Sequence, residues 1–159
     1  MLDLGNGARV TALMAVNSLG NIVDPDTWQR VAGVRTADGS ALVDARDLQR
    51  NLTPLDARTA ENTTIGIVAT NARLSKAELS IVARMAYDGL ARAVRPAYTP
   101  SDGDAIFAIA TGKIADDVSL LRIGALAADA TTDAILRGVR AATGLPGYPS
   151  VGDLQGGVR

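Results

Sequence analysis

The chain has 159 residues, a net charge of −1 and a pI near 5.3, with acidic and basic side chains interspersed, so it lacks the basic footprint of a nucleic-acid binder. It contains neither histidine nor cysteine, which excludes Ser–His, Cys–His and cysteine-nucleophile chemistry built from its own residues. Hydrophobic residues make up 47% but aromatic ones only 3%, so one domain's core must come from Ala, Val, Ile and Leu, small side chains that allow close, layered packing.

The apolar runs are too short and too interrupted to cross a bilayer. Met1-Leu2-Asp3-Leu4-Gly5 lacks the charged-then-apolar pattern of a secretory leader. No membrane partner is expected, and the location expected is the cytoplasm. The sequons at Asn51 and Asn62 then carry no meaning for glycosylation.

In chain order, the dense apolar run from Val10 to Val16 predicts a strand, followed by a tight turn over Asn17-Ser18-Leu19-Gly20 and a short strand at 21–24. The pair reads as a hairpin, with Gly20 and Asn21 suited to positive φ. From Asp24 to Glu61 Asp, Arg, Thr, Gly and Pro dominate and periodicity is weak. A mobile surface linker is expected there, with at most a short helix over 44–49.

Order resumes with a strand from Thr64 to about Thr70. Ser75-Lys76-Ala77-Glu78 matches a capping box, and Leu79, Val82, Ala86 and Leu90 form an apolar helical stripe. Ser80, Arg84, Asp88 and Arg92 form a polar row of the same helix, and Pro96 stops it because Arg95 is pushed out of the α region. A loop over 98–104 leads to a strand from Ala105 to Ala110. A second helix, capped by Asp116 or Asp117, runs to about Thr143, before Gly144 and Pro146. The Gly-rich tail from Leu145 is expected to be loosely held. The fold class is α+β, with helices on one face of a sheet.

With His and Cys absent, a hydroxyl at the head of a strand is among the few nucleophiles left. Asn62-Thr63-Thr64 opens directly into Ile65-Gly66-Ile67-Val68-Ala69. If the chain is cut before Thr63, the new α-amine sits beside the Thr63 hydroxyl, giving nucleophile and base in one residue. Read singly, Thr63 and Thr64 are ordinary strand residues, Asp102-Gly103-Asp104 is a turn, Asn17 is a turn residue and Lys113 a solvated charge.

Taken together, the stretch from Asn62 to Gly112 resembles the processed subunit of the P1 family of peptidases, which holds L-aminopeptidase/D-amidase/esterases, β-aminopeptidases and nylon-oligomer hydrolases. The resemblance rests on the Asn-Thr-Thr start, the Leu-Ser-Lys helix entry, the segments Asp88-Gly89-Leu90-Ala91-Arg92-Ala93 and Arg95-Pro96-Ala97, and Asp102-Gly103-Asp104 ahead of an apolar strand. Upstream, Leu13 to Gly20 looks like the family's asparagine-bearing strand.

The resemblance implies part of an αββα sandwich of the N-terminal-nucleophile type. It implies self-cleavage between Asn62 and Thr63, with Thr63 as nucleophile and α-amine base, and cleaved pieces that stay associated. Asp102 and Asp104 fall at the orienting carboxylates, and Asn17 at an amide donor toward the nucleophile or oxyanion. No metal or organic cofactor is implied. Peptides or small amides are the substrates, and homo-oligomers of cleaved pairs the expected assembly.

Family precursors carry a long region before the first of these strands, including a lysine near the nucleophile. Lys76 and Lys113 are this chain's only lysines, and neither is at that position. The chain is therefore expected to be a fragment. Residues 1–62 are the remnant of the upstream region with its linker over 24–61, and residues 63–159 begin at the nucleophile. The alternative is a truncated, non-catalytic remnant that serves as structural or binding partner of a missing half. A small-molecule-binding module that has lost processing is a weaker third. Tyr87 and Tyr98 stand where relatives often carry histidine, an expected influence on pocket shape.

Overall fold

The computed structural model describes residues 1–5, 7–51, 62–114 and 118–156. In chain order the elements are β1 (Leu2–Asp3), β2 (Arg9–Asn17), β3 (Asn21–Val23), β4 (Arg30–Ala32), α1 (Ala45–Asn51), β5 (Thr63–Ala72), α2 (Lys76–Ala93), β6 (Val94–Arg95), β7 (Ala105–Ile114), α3 (Leu120–Ala141) and α4 (Val151–Gly156). The class is α+β.

The larger sheet runs β1-β2-β5-β7 and the smaller β4-β3-β6. Strand β5 is antiparallel to β2, with Asn17 opposite Thr63 and Val10 opposite Thr70. It is parallel to β7, with Ile65 beside Ala105. A parallel pair needs a crossover, and α2 supplies it. Along β2 the even-numbered residues 10 to 16 are covered and the odd-numbered ones exposed, as the two-residue period of a one-sided sheet requires.

The covered face meets α2 and α3, where Val10, Val68 and Ile106 join Val82, Ala86, Leu90, Ile123, Ala127 and Ile135 in the core. The two helices approach closely because the side chains between them are small. A Cβ on Gly89 would lie 2.0 Å from the Ala128 carbonyl oxygen, and the Thr132 hydroxyl donates to the carbonyls of Gly89 (3.0 Å) and Ala128 (3.1 Å). The opposite face is open. Leu13 is 74%, Phe107 64% and Ile65 49% exposed there, although all three are large and apolar. Helices on one side of a sheet with a bare second face are one half of an αββα arrangement.

Several expectations hold. Ser75 caps α2 with the reciprocal Glu78 bond, and Val82, Ala86 and Leu90 are buried. A helix stands at 45–51. Others need correction. Strands β2 and β3 do not form a hairpin: β2 pairs with β5 from Val10 to Asn17 and with β1 at Arg9 and Val10, whereas β3 pairs with β4 and β6. Residues 18–20 therefore carry the chain from one sheet to the other. Neither Gly20 nor Asn21 has positive φ. Gly20 is needed for proximity, since a Cβ there would lie 2.1 Å from the Pro96 carbonyl oxygen.

The segment after β3 has more structure than its composition predicts. It holds β4, a bridge between Arg35 and Leu42, and α1. Long-range bonds explain it. The buried Asn21 amide donates to the Val43 carbonyl (3.0 Å) and accepts from Ala45 N–H (2.6 Å), while Asp24 pairs with Arg140 on α3. That guanidinium, with the Asp26 N–H, holds the Asp24 carboxyl below its ordinary value.

Strand β7 continues four residues past the predicted Ala110, through Gly112 and Lys113. The tail also contains α4, whose start is tied by reciprocal Ser150–Asp153 bonds. The remaining linker residues 52–61 and the proposed caps Asp116 and Asp117 lie outside the described residues.

Candidate active site

The site is assembled where β5 begins, at the edge of the loop that feeds β7. Asn62 and Asp102 form a parallel bridge, and the Gly103 N–H donates to the Asn62 carbonyl at 2.9 Å. The Thr63 hydroxyl donates to the same carbonyl at 2.7 Å. A Cβ on Gly103 would lie 2.7 Å from Thr63 Oγ1, so the turn passes over the hydroxyl with room only for glycine.

Strand alternation separates the two threonines. Thr64 is fully buried on the helix side, and its hydroxyl has no hydrogen-bond partner among the described residues. Thr63 is half-buried and shares the open face with Ile65 and, across the ladder, Asn17. Only Thr63 of the pair has a hydroxyl that is both reachable and next to a main-chain carbonyl. Leu13, Ala15, Ile65, Ile67 and Phe107 line an open apolar depression of about 280 Å³ that leads away from it along that face.

Both carboxylates of the turn are brought to this end of β5, each with defined work. Asp104 accepts the Thr64 N–H (2.7 Å) on one oxygen and the Tyr98 N–H (3.0 Å) on the other. Asp102 accepts the Thr99 N–H (3.1 Å) and hydroxyl (2.7 Å). Asp104 thus fixes the backbone directly after Thr63, and Asp102 closes the loop that carries Gly103. Their hydrogen bonds go to neighbouring residues, which makes them braces of the strand end that carries Thr63. Asn17 is directly opposite Thr63 in the antiparallel register.

Sequence reasoning missed three participants. Gly103 was read only as a turn former. Thr99 offered no signal beyond its place in the loop. Tyr87, expected to shape a pocket, instead reaches from α2 to the turn, donating to the Asp104 carbonyl (3.2 Å) and accepting from the Ile106 N–H (3.2 Å). Its ring meets Tyr98 edge-on at 5.0 Å between centroids, and Tyr98 is held at φ 54°. A non-glycine residue in that region is uncommon, and here it adjoins the site.

The lysines are elsewhere. Lys113 lies alongside the far end of β5, eight residues from Thr63 and therefore roughly 26 Å away at about 3.3 Å per strand residue. Lys76 opens α2, beyond that same end. Among the described residues no group of three or more Asp or Glu side chains is placed to hold a metal, and no helix is long and apolar enough to cross a membrane.

The chain is 37% identical over 169 aligned positions to an uncharacterised aminopeptidase of Mycobacterium tuberculosis, covering 95% of this chain and 49% of the relative. It is 32% identical over 92 positions to a 6-aminohexanoate-oligomer endohydrolase of Kocuria, covering 51% of this chain and 26% of the relative. Among solved structures, the L-aminopeptidase D-Ala-esterase/amidase of Ochrobactrum anthropi matches with a TM-score of 0.46 and 16% identity, over 89% of this chain and 42% of that one. The chain spans about half the length of the mycobacterial relatives. The model for peptidase family S58 matches residues 2–151, nearly the whole sequence. Because that match takes in β5, the turn above it and almost all of the remaining chain, the chain belongs to peptidase family S58.

Proposed function

We propose that the protein containing this chain is an amidohydrolase or aminopeptidase of the N-terminal-nucleophile type. It cleaves its own chain between Asn62 and Thr63 and then hydrolyses peptides or small amides through an ester on Thr63. The observation that carries the reading is the convergence of the Asn62 carbonyl, the Thr63 hydroxyl, the Gly103 N–H and the Asp104 brace at one strand end. The names of the relatives, aminopeptidase and oligomer endohydrolase, support the substrate class.

In the uncut chain the Thr63 hydroxyl belongs to the residue directly after the carbonyl it would attack, so attack closes a five-membered ring through Cβ, Cα and the peptide nitrogen. After cleavage the Thr63 amine is free, and an α-amine titrates near ~7.7–8.0, so a useful fraction is neutral near neutral pH and can take the hydroxyl proton. Asn17, opposite Thr63 on the same face, is the amide donor for the oxyanion of a foreign substrate; one such donor contributes roughly 3–4 kcal/mol. The apolar depression beside Ile65 and Phe107 supplies one wall for the substrate's acyl part.

A second reading is favoured by a specific observation. The open apolar face and the remoteness of both lysines suit a chain that acts only as the structural partner of a missing half. Intact mass of the purified protein separates the two. Self-cleavage yields a piece running from Thr63 to Arg159, and Thr63→Ala abolishes it. An uncut wild-type chain supports the structural reading, and a Thr63→Ala chain still cut at the same bond assigns the cut to an outside protease.

A further inference from the structure

The geometry points to Gly103 as the residue that activates the Asn62–Thr63 bond: its N–H is the oxyanion donor for self-cleavage, and its missing side chain leaves the space in which Thr63 Oγ1 turns to attack. The inference rests on the self-cleavage reading above and names the group that makes this one bond susceptible.

Two independent observations meet at Gly103. Its N–H lies 2.9 Å from the carbonyl oxygen of Asn62, the atom on which negative charge develops. This donor is already in place in the uncut chain, held by the Asn62–Asp102 bridge and by Asp102's bonds to Thr99. A fixed donor aimed at a developing oxyanion strengthens as the charge grows and needs no rearrangement at the moment of reaction. The second observation is steric. A methyl group at residue 103 would stand 2.7 Å from Thr63 Oγ1, inside contact distance of the attacking atom.

The step balances within the chain and one water. Thr63 Oγ1 bonds to the Asn62 carbonyl carbon, the carbonyl π pair moves to the oxygen facing Gly103 N–H, and the pair then returns as the C–N bond breaks. The hydroxyl proton ends on the departing Thr63 nitrogen. Water adds its hydroxide to the resulting ester carbon and its proton to Oγ1, giving an Asn62 carboxyl group and a free Thr63 hydroxyl. The Thr63 hydroxyl now donates to the carbonyl oxygen, so it must rotate before attack, and the bare Gly103 permits that rotation.

The test is the rate of appearance of the piece beginning at Thr63, measured by intact mass on the full chain. Gly103 is replaced by glycolic acid through nonsense suppression, which removes the N–H and leaves the shape. Circular dichroism of the same substitution in a Thr63→Ala background reports whether the fold survives. The expected result is a folded chain cut at least tenfold more slowly, in line with the ~10²–10³-fold loss when one oxyanion donor is removed. A folded chain cut at the wild-type rate overturns the role of Gly103 and leaves the self-cleavage reading intact. A wild-type chain that is never cut overturns both. If the glycolate chain does not fold, Gly103→Ala decides: it keeps the N–H and is expected to cut at least tenfold more slowly, and an unchanged rate overturns the inference.

Discussion

Thr63 and Thr64 are chemically identical neighbours with opposite fates, because a strand sends alternate side chains to opposite faces. One hydroxyl is sealed under helices without a partner among the described residues, and the other stands at the open face beside a carbonyl. That distinction is readable from the sequence only once the strand's polarity is known. The Asp-Gly-Asp run was legible as acidic residues near Thr63; what each oxygen does was not, because its partners are the N–H groups of Thr64, Tyr98 and Thr99 and the Thr99 hydroxyl, away from the run itself. Tyr87 was illegible for the same reason, since nothing local says that a helix residue will satisfy a turn. Removing its hydroxyl as Tyr87→Phe leaves the Asp104 carbonyl and the Ile106 N–H short of a partner. The expected cost is about 1–3 kcal/mol, read from urea midpoints, with slower release of the Thr63 piece. No change in either measurement would reduce Tyr87 to a surface aromatic.

At the scale of elements, local signals served where local bonds decide. The capping box, the α2 stripe and the cores of β5 and β7 follow from short-range spacing. The supposed hairpin did not, because strand pairing belongs to the partners available and β3 finds better ones in β4 and β6. The segment after Asp24 looks like linker for a similar reason: Asn21 and Arg140, which hold it, lie outside it in sequence. The contact between α2 and α3 depends on Gly89. Gly89→Ala raises helix propensity but drives a methyl group into the Ala128 carbonyl. Overpacking is expected to win, destabilising the chain by about 1–3 kcal/mol in equilibrium denaturation. A stabilised variant would mean that the helices part without penalty.

Among the described residues, a layer of helices covers one face of the larger sheet and leaves its other face bare. Leu13, Ile65, Phe107 and Ile109 form a contiguous apolar surface of the kind that monomeric proteins seldom leave in water. Alone, the chain is expected to self-associate at micromolar concentration, seen as a concentration-dependent sedimentation coefficient. Phe107→Lys, on the bare face and away from the helices, should reduce that association. A monomer with a cooperative thermal transition would show that the face tolerates solvent. The sequence announced this condition through its resemblance to longer proteins, while the identity of the face became visible only with the register of β2, β5 and β7.

Both sheets draw strands from either side of residue 63: β1 and β2 with β5 and β7 in one, β4 and β3 with β6 in the other. Severing the chain there would leave two polypeptides interlaced through both ladders, so neither could leave without tearing the other open. Assembly from separated pieces would then be a second-order process, slowing on dilution, whereas the unbroken precursor folds at a rate independent of concentration. The cut would convert a reversible folding equilibrium into a kinetic trap.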